Sequence, residues 1–192
     1  MTPPLPPWLA PAAASVAIAA AVVALLLRAA SALAAPLDEP GVLDRVGLAY
    51  LDASDAADAT DLDPTLVLAV ALVESRLLPV VGGYQDRHFG PGQVAWWAWG
   101  AELVQAGVVD GRDDLLRLRE GLAATAWVLR YLLDRWHRGG ATTLCTYNQG
   151  NRGLRMPRCP YSDAVLAVRA QLRARLAGHD AVAVGTQIGG AR

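Results

Sequence analysis

Lysine is absent from this chain; all 17 of its basic residues are arginine. We read that as a composition bias without functional content. Cysteine is almost as scarce. Only Cys145 and Cys159 occur, which excludes a dense disulfide framework and any four-cysteine zinc site. One bridge between them remains open. In an oxidising compartment it would close a short loop and contribute roughly 3 kcal/mol; in a reducing one the pair would be a buried thiol and a loop thiol. Net charge is nearly missing too, at −1, so no strong field points to nucleic acid or to an acidic membrane surface. There is no internal repeat, no phosphate-binding glycine loop and no metal-ligand spacing, and the histidines, His88, His137 and His179, are scattered. Neither a metal nor a cofactor is expected. Alternating strand patterns are lacking apart from short ambiguous runs such as Leu77 to Val81.

What the chain has in abundance is apolar surface, 54% of its residues, much of it alanine. No charge precedes Arg28, and Trp8 to Leu27 is almost wholly apolar, the length of a membrane-spanning helix. Ala32-Leu33-Ala34 resembles a signal-peptidase site, so a cleaved signal competes with an anchor. The positive charge follows the apolar stretch instead of preceding it, which fits neither pattern cleanly. Residues 1–36 are expected to be a signal or transmembrane anchor, 37–176 one all-α domain, and 177–192 a weakly patterned, mobile tail.

Within the domain, Pro36 to Gly41 reads as a linker. From Val42 to about Ala59, Val46, Ala49, Tyr50, Ala53 and Ala57 recur at three- and four-residue intervals, which predicts an amphipathic helix with Asp44, Asp52, Asp55 and Asp58 on its solvated side. The stretch DLDPTLVLAVALVES, residues 61–75, follows. Asp63 suits the N-cap and Pro64 the first helical position; Leu66 to Val73 are apolar on every side, so the helix is buried. Val80 to Gln93 is glycine-rich and irregular. Residues 94–107 have a helical cast. Leu115, Leu118, Leu122, Leu129, Leu132, Leu133 and Trp136 share one stripe of a long helix ending at Gly139-Gly140. A further helix is predicted over Ala141 to Gln149, then a loop to about Pro160. A last helix runs from Asp163 to about Leu176, with Ser162 as its N-cap and Val165, Leu166, Val168 and Leu172 on its apolar side.

The buried run of residues 66–73 ends in Glu74. A carboxylate is seldom buried unless it is paired or functional. A general acid needs such a group, held partly out of water so that its pKa climbs towards the working pH. Taken alone, a helix end that reaches solvent explains Glu74 equally well.

Three separated pieces then fall in order: Glu74-Ser75, Gly90-Pro91-Gly92-Gln93 and Tyr147-Asn148-Gln149-Gly150. They resemble the lytic transglycosylase family of the lysozyme superfamily, whose pattern is Glu-Ser, Gly-Leu-Met-Gln and Ala-Tyr-Asn-Ala-Gly. The likeness covers about residues 45 to 170 and takes in Gly121 and Trp127 to Leu132, which resemble the helix leading to the Tyr-Asn motif. It implies a lysozyme-like helical fold and a peptidoglycan lytic transglycosylase that cleaves the β-1,4 bond between MurNAc and GlcNAc. Glu74 would act as general acid and then as base for the C6 hydroxyl that closes a 1,6-anhydro ring, the substrate's own N-acetyl group assisting in place of a second carboxylate.

Ser75, Gln93, Tyr147 and Asn148 are the implied substrate-binding residues. Ser75 would orient the glutamate or bond a sugar, Gln93 would bind the N-acetyl or neighbouring groups, and Tyr147 would hold Glu74 or the substrate. Asn148 would chiefly stabilise its motif's backbone, with Gly150 supplying a positive φ. Asp86 is the local candidate for activating water in a hydrolytic muramidase of the same fold, and a catalytically idle peptidoglycan-binding module is a further alternative. Of Trp96, Trp97 and Trp99, at most one is expected to stack on sugar. The implied partners are glycan strands, the membrane through the N-terminal segment and an envelope-spanning assembly, in the periplasm or cell envelope. Three departures from the pattern bear on subsite geometry more than on the acid. Pro91 and Gly92 stand for leucine and methionine, Val80-Val81-Gly82-Gly83 stands where a serine is usual, and Cys145 is not part of the general pattern.

Overall fold

The computed structural model describes residues 37, 39–82, 87–136 and 139–189, with side chains through residue 177. The expected anchor or signal, residues 1–36, lies outside them, as does Asp86. Among the described residues no helix is long and apolar enough to cross a membrane.

The structure is mostly helical, as the sequence predicts. Helix α1 spans Val42–Asp58 and α2 Pro64–Ser75. A small antiparallel sheet follows, β1 Val81–Gly82, β2 His88–Phe89 and β3 Val94–Ala95 in that order. Then come α3 Trp96–Gln105, a 3-10 turn at Arg112–Leu116, α4 Leu118–Trp136, α5 Gly140–Gln149, a second 3-10 turn at Gly150–Arg155, and α6 Pro160–Gly189. The sheet is the element that periodicity misses. Two-residue strands are too short to show an alternating pattern.

The last helix starts earlier and ends later than expected. Pro160 takes the first helical position, where its missing N–H costs nothing. Ser162 therefore sits inside the first turn, and its hydroxyl accepts from the Cys159 N–H at 3.0 Å, the reach-back half of a capping box. The backbone stays helical to Gly189, beyond Leu176. The 37–41 segment is more than a linker: Leu37 is buried in the core and Glu39 pairs with Arg76.

Helix α2 is the centre of the larger core. Val67 to Leu72 are fully buried, as an all-round apolar helix must be, and they pack against α1, α4 and α6. Helix α4 divides two cores. Leu122, Ala126 and Leu129 face the one around α2; Ala124, Val128 and Leu132 face a second, with Phe89, Val94, Leu103 and Leu115 from the sheet and its neighbours. Fully burying a leucine contributes about 2 kcal/mol, so this two-sided helix binds the halves together.

Asp63 caps α2 as predicted, accepting from the Thr65 N–H at 2.8 Å. It also binds Arg169, at 2.9 Å, and Arg173, which ties the start of α2 to α6. Partial burial pushes the Asp63 pKa up, but hydrogen bonds from Thr65, Arg173 and Arg169 outweigh that and hold it well below the ordinary carboxylate range. Its stabilising effect is thus complete above the unfolded pKa of about 4 and is lost as pH falls through the lower folded value. Asp63→Ala should lower the unfolding free energy at pH 7 by about 1–2 kcal/mol, a difference that shrinks in strong acid; urea titrations across pH check it.

Candidate active site

The end of α2 is set by backbone geometry. Arg76 and Leu77 adopt left-handed conformations, φ 58° and 63°, which stop the helix immediately after Ser75. Side chains other than glycine seldom hold such angles, and here they are held from outside. The Arg76 carbonyl accepts from Arg45 Nε at 3.0 Å, its guanidinium pairs with Glu39, and Leu77 is buried.

Glu74, one residue short of that stop, is partly buried. Burial raises its pKa from 4.5 to about 7; the Tyr161 hydroxyl acts the other way by favouring the charged form. No ion-pair partner of Glu74 occurs among the described residues. The Tyr161 oxygen is itself buried, close to the carboxyl yet outside hydrogen-bond geometry, and has no other partner. Tyr147 faces the carboxyl from α5. Burial, then the charge of Glu74, push its hydroxyl pKa far above the ordinary tyrosine value. Glu74 is thus a partly buried carboxyl near two tyrosines, rather than a helix end fully exposed to water.

The loop at Gly90-Pro91-Gly92 joins the motifs. Ser75 Oγ donates to the Pro91 carbonyl at 2.8 Å and accepts from the Leu78 N–H at 3.1 Å. Tyr147 Oη donates to the Gly92 carbonyl at 2.7 Å. Gln93, at φ 50°, donates from Nε2 to the carbonyls of Val80 and Gly90, both at 3.0 Å. The loop also presses on α4. A Cβ on Gly92 would lie 1.9 Å from Thr125 Oγ1, and one on Gly90, at φ 76°, would lie 1.9 Å from the Leu115 carbonyl oxygen. No side chain larger than glycine's hydrogen fits where Gly92 stands.

The structure thus assembles the predicted residues but divides their work. Glu74 and Tyr147 come together at the boundary of the two cores, and Tyr147 packs against both. Ser75 is buried, and its hydroxyl is bonded to the Pro91 carbonyl and the Leu78 N–H, so it holds the site's frame. The amide nitrogen of Gln93 is likewise spent on backbone, although Gln93 lines a cavity of about 30 Å³ with His88, Trp99, Val128 and Tyr147. That volume admits a small group or a water but not a ring. Asn148 is exposed. Trp99 is the tryptophan beside Tyr147, braced edge-on by Trp127 and Tyr131. Trp96 and Trp97 lie instead near Arg87, Phe89 and Arg112, and a roomier hollow of about 450 Å³ at Trp96 and residues 110–114 touches neither Glu74 nor Tyr147.

Sequence reasoning missed Tyr161 and Thr125. Tyr161 lies four residues before Val165 in the first turn of α6, ahead of the Asp163 start that the sequence predicts for this helix. Thr125, buried on α4, contacts both the loop and Tyr147. Among the described residues no histidine, cysteine or acidic cluster could hold a metal ion.

Because the folded state favours protonated Glu74, stability falls as pH rises from the unfolded pKa near 4.5 through about 7. Each unit of elevation costs about 1.4 kcal/mol above that window. Glu74→Gln should therefore be more stable than wild type at pH 8, with the gain vanishing near pH 4; paired thermal melts at the two pH values decide it.

Comparison with known proteins yields no match: no protein-family model, no curated protein and no solved structure aligns with the chain.

Proposed function

We propose that this protein is a lysozyme-like peptidoglycan lytic transglycosylase in which Glu74 is the catalytic acid and base. The observation that carries the reading is the state of Glu74: a carboxyl without a cationic partner, with its pKa raised to about 7 by burial, beside a tyrosine that packs against both cores. A general acid works best when its pKa lies near the operating pH. The motif resemblance of Glu74-Ser75, Gln93 and Tyr147-Asn148 supplies the substrate class.

In this reading protonated Glu74 gives its proton to the glycosidic oxygen, a poor leaving group until it is protonated. The substrate's N-acetyl oxygen supports the electron-poor anomeric carbon. Glu74, now a carboxylate, takes the proton of the C6 hydroxyl as that oxygen attacks the anomeric carbon, which forms the 1,6-anhydro ring and restores the acid. Water has no part in the balance. The partial burial of Glu74 fits such a reaction, because it limits the access of water, a competing nucleophile, to the intermediate. Tyr147 stands beside the carboxyl with its hydroxyl donated to the Gly92 carbonyl, and Asn148, exposed one residue on, is open to substrate. Action on the wall places the domain in the periplasm or cell envelope, with residues 1–36 as its signal or membrane attachment.

The test is product analysis on purified sacculi. Wild type should release anhydro-muramic ends, and Glu74→Gln should lower the rate by at least about 10²-fold, the usual contribution of a positioned acid. Reducing ends in place of anhydro ends would support a hydrolytic muramidase. Equal release by wild type and mutant would leave only an idle wall-binding module.

A further inference from the structure

The cysteine pair, which stands outside the motifs, forms a disulfide with its Cα atoms 5.9 Å apart. Cys145 lies on α5 and Cys159 is the residue before α6; both are buried. Each stands two residues before a tyrosine that faces Glu74, Cys145 before Tyr147 and Cys159 before Tyr161. The chain between them is pressed against α5, since a Cβ on Gly153 would lie 2.2 Å from the Cys145 carbonyl oxygen. Among the described residues the titratable groups that face Glu74 are these two hydroxyls, one from α5 and one from α6, and helices α1 and α4, packed against α2, bring it no charge.

We propose that the Cys145–Cys159 bridge is a positioning device for the site, clamping Tyr147 and Tyr161 on two sides of Glu74 and so keeping the carboxyl out of water. Tyr161 is then a positioning residue as well. It is the one hydroxyl near the carboxyl with no other partner, whereas the Tyr147 hydroxyl is committed to Gly92. A modest swing of Tyr161 would complete its hydrogen bond when Glu74 loses its proton. The bridge limits that swing from one side by fixing the start of α6 to α5. Without it the two helices are joined here only by packing and the 150–159 connection, and water reaches the carboxyl.

The inference deepens the acid role given to Glu74, and its test needs no turnover. The chain has four glutamates, Glu39, Glu74, Glu102 and Glu120, so carbon-13 carboxyl titration resolves Glu74, with Glu74→Gln assigning the signal. Wild type should titrate near 7. Cys145→Ala/Cys159→Ala, while retaining its helical circular dichroism, should titrate lower by about one unit or more as desolvation is relieved. Tyr161→Phe keeps the bridge and the packing but loses the hydroxyl that favours the charged form, so it should titrate higher.

If the double variant does not fold, wild type titrated before and after treatment with a dithiol gives the same comparison. The reductant passes two electrons and two protons to the bridge, leaving two thiols and its own disulfide. An unchanged Glu74 titration in the folded, bridge-free protein overturns the clamp, and an unchanged one in Tyr161→Phe overturns the role of that residue. Shifts as expected, in a protein that cuts no glycan, would sink the enzymatic reading alone.

Discussion

The constraint on which this structure depends is the enclosure of α2. A helix apolar on every face has no stable position at a surface, so α1, α4 and α6 must surround it. Glu74 belongs to that helix's last turn and is carried part of the way into the same interior. Burial raises its pKa to about 7, and no cation pairs with it among the described residues. The carboxyl is costly to the fold when charged, and the fold tolerates it because the rest of α2 is buried so completely.

Around that carboxyl, hydrogen bonds are spent on backbone more than on one another. Ser75, Tyr147 and Gln93 all end on carbonyls of the 80–92 segment. The loop lies so close to α4 that Gly92 and Gly90 have no space for a side chain. Three pieces of sequence far apart in the chain are therefore one mechanical unit, with the loop as its keystone. The disulfide extends that unit to α6. Residues that look like ligand binders by motif turn out to divide into those that hold the frame, Ser75 and Gln93, and those that face the carboxyl, Tyr147 and Tyr161.

Much of this was legible in the residues. The helices Val42–Asp58 and Leu118–Trp136 followed from apolar spacing, because long amphipathic periods are redundant and survive local exceptions. The Asp63-Pro64 cap was legible because capping chemistry is local. The sheet was not, since its strands are held by cross-loop pairing between two-residue segments. Tyr161 was not either: its spacing from Val165 marks it as an inward residue but says nothing about which residue of α2 it meets.

The sequence by itself determined a helical domain with one all-round buried helix, the cap that starts it, and a carboxylate at its end. Those are consequences of residue type and periodicity, which act over a few residues. Tertiary structure alone decided that Glu74 is partly buried, that Tyr147 and Tyr161 lie near it, that Cys145 and Cys159 are joined, and that Ser75 holds a loop. Desolvation and cross-chain hydrogen bonds depend on which distant segments come together, and for these residues that is set by packing across two cores.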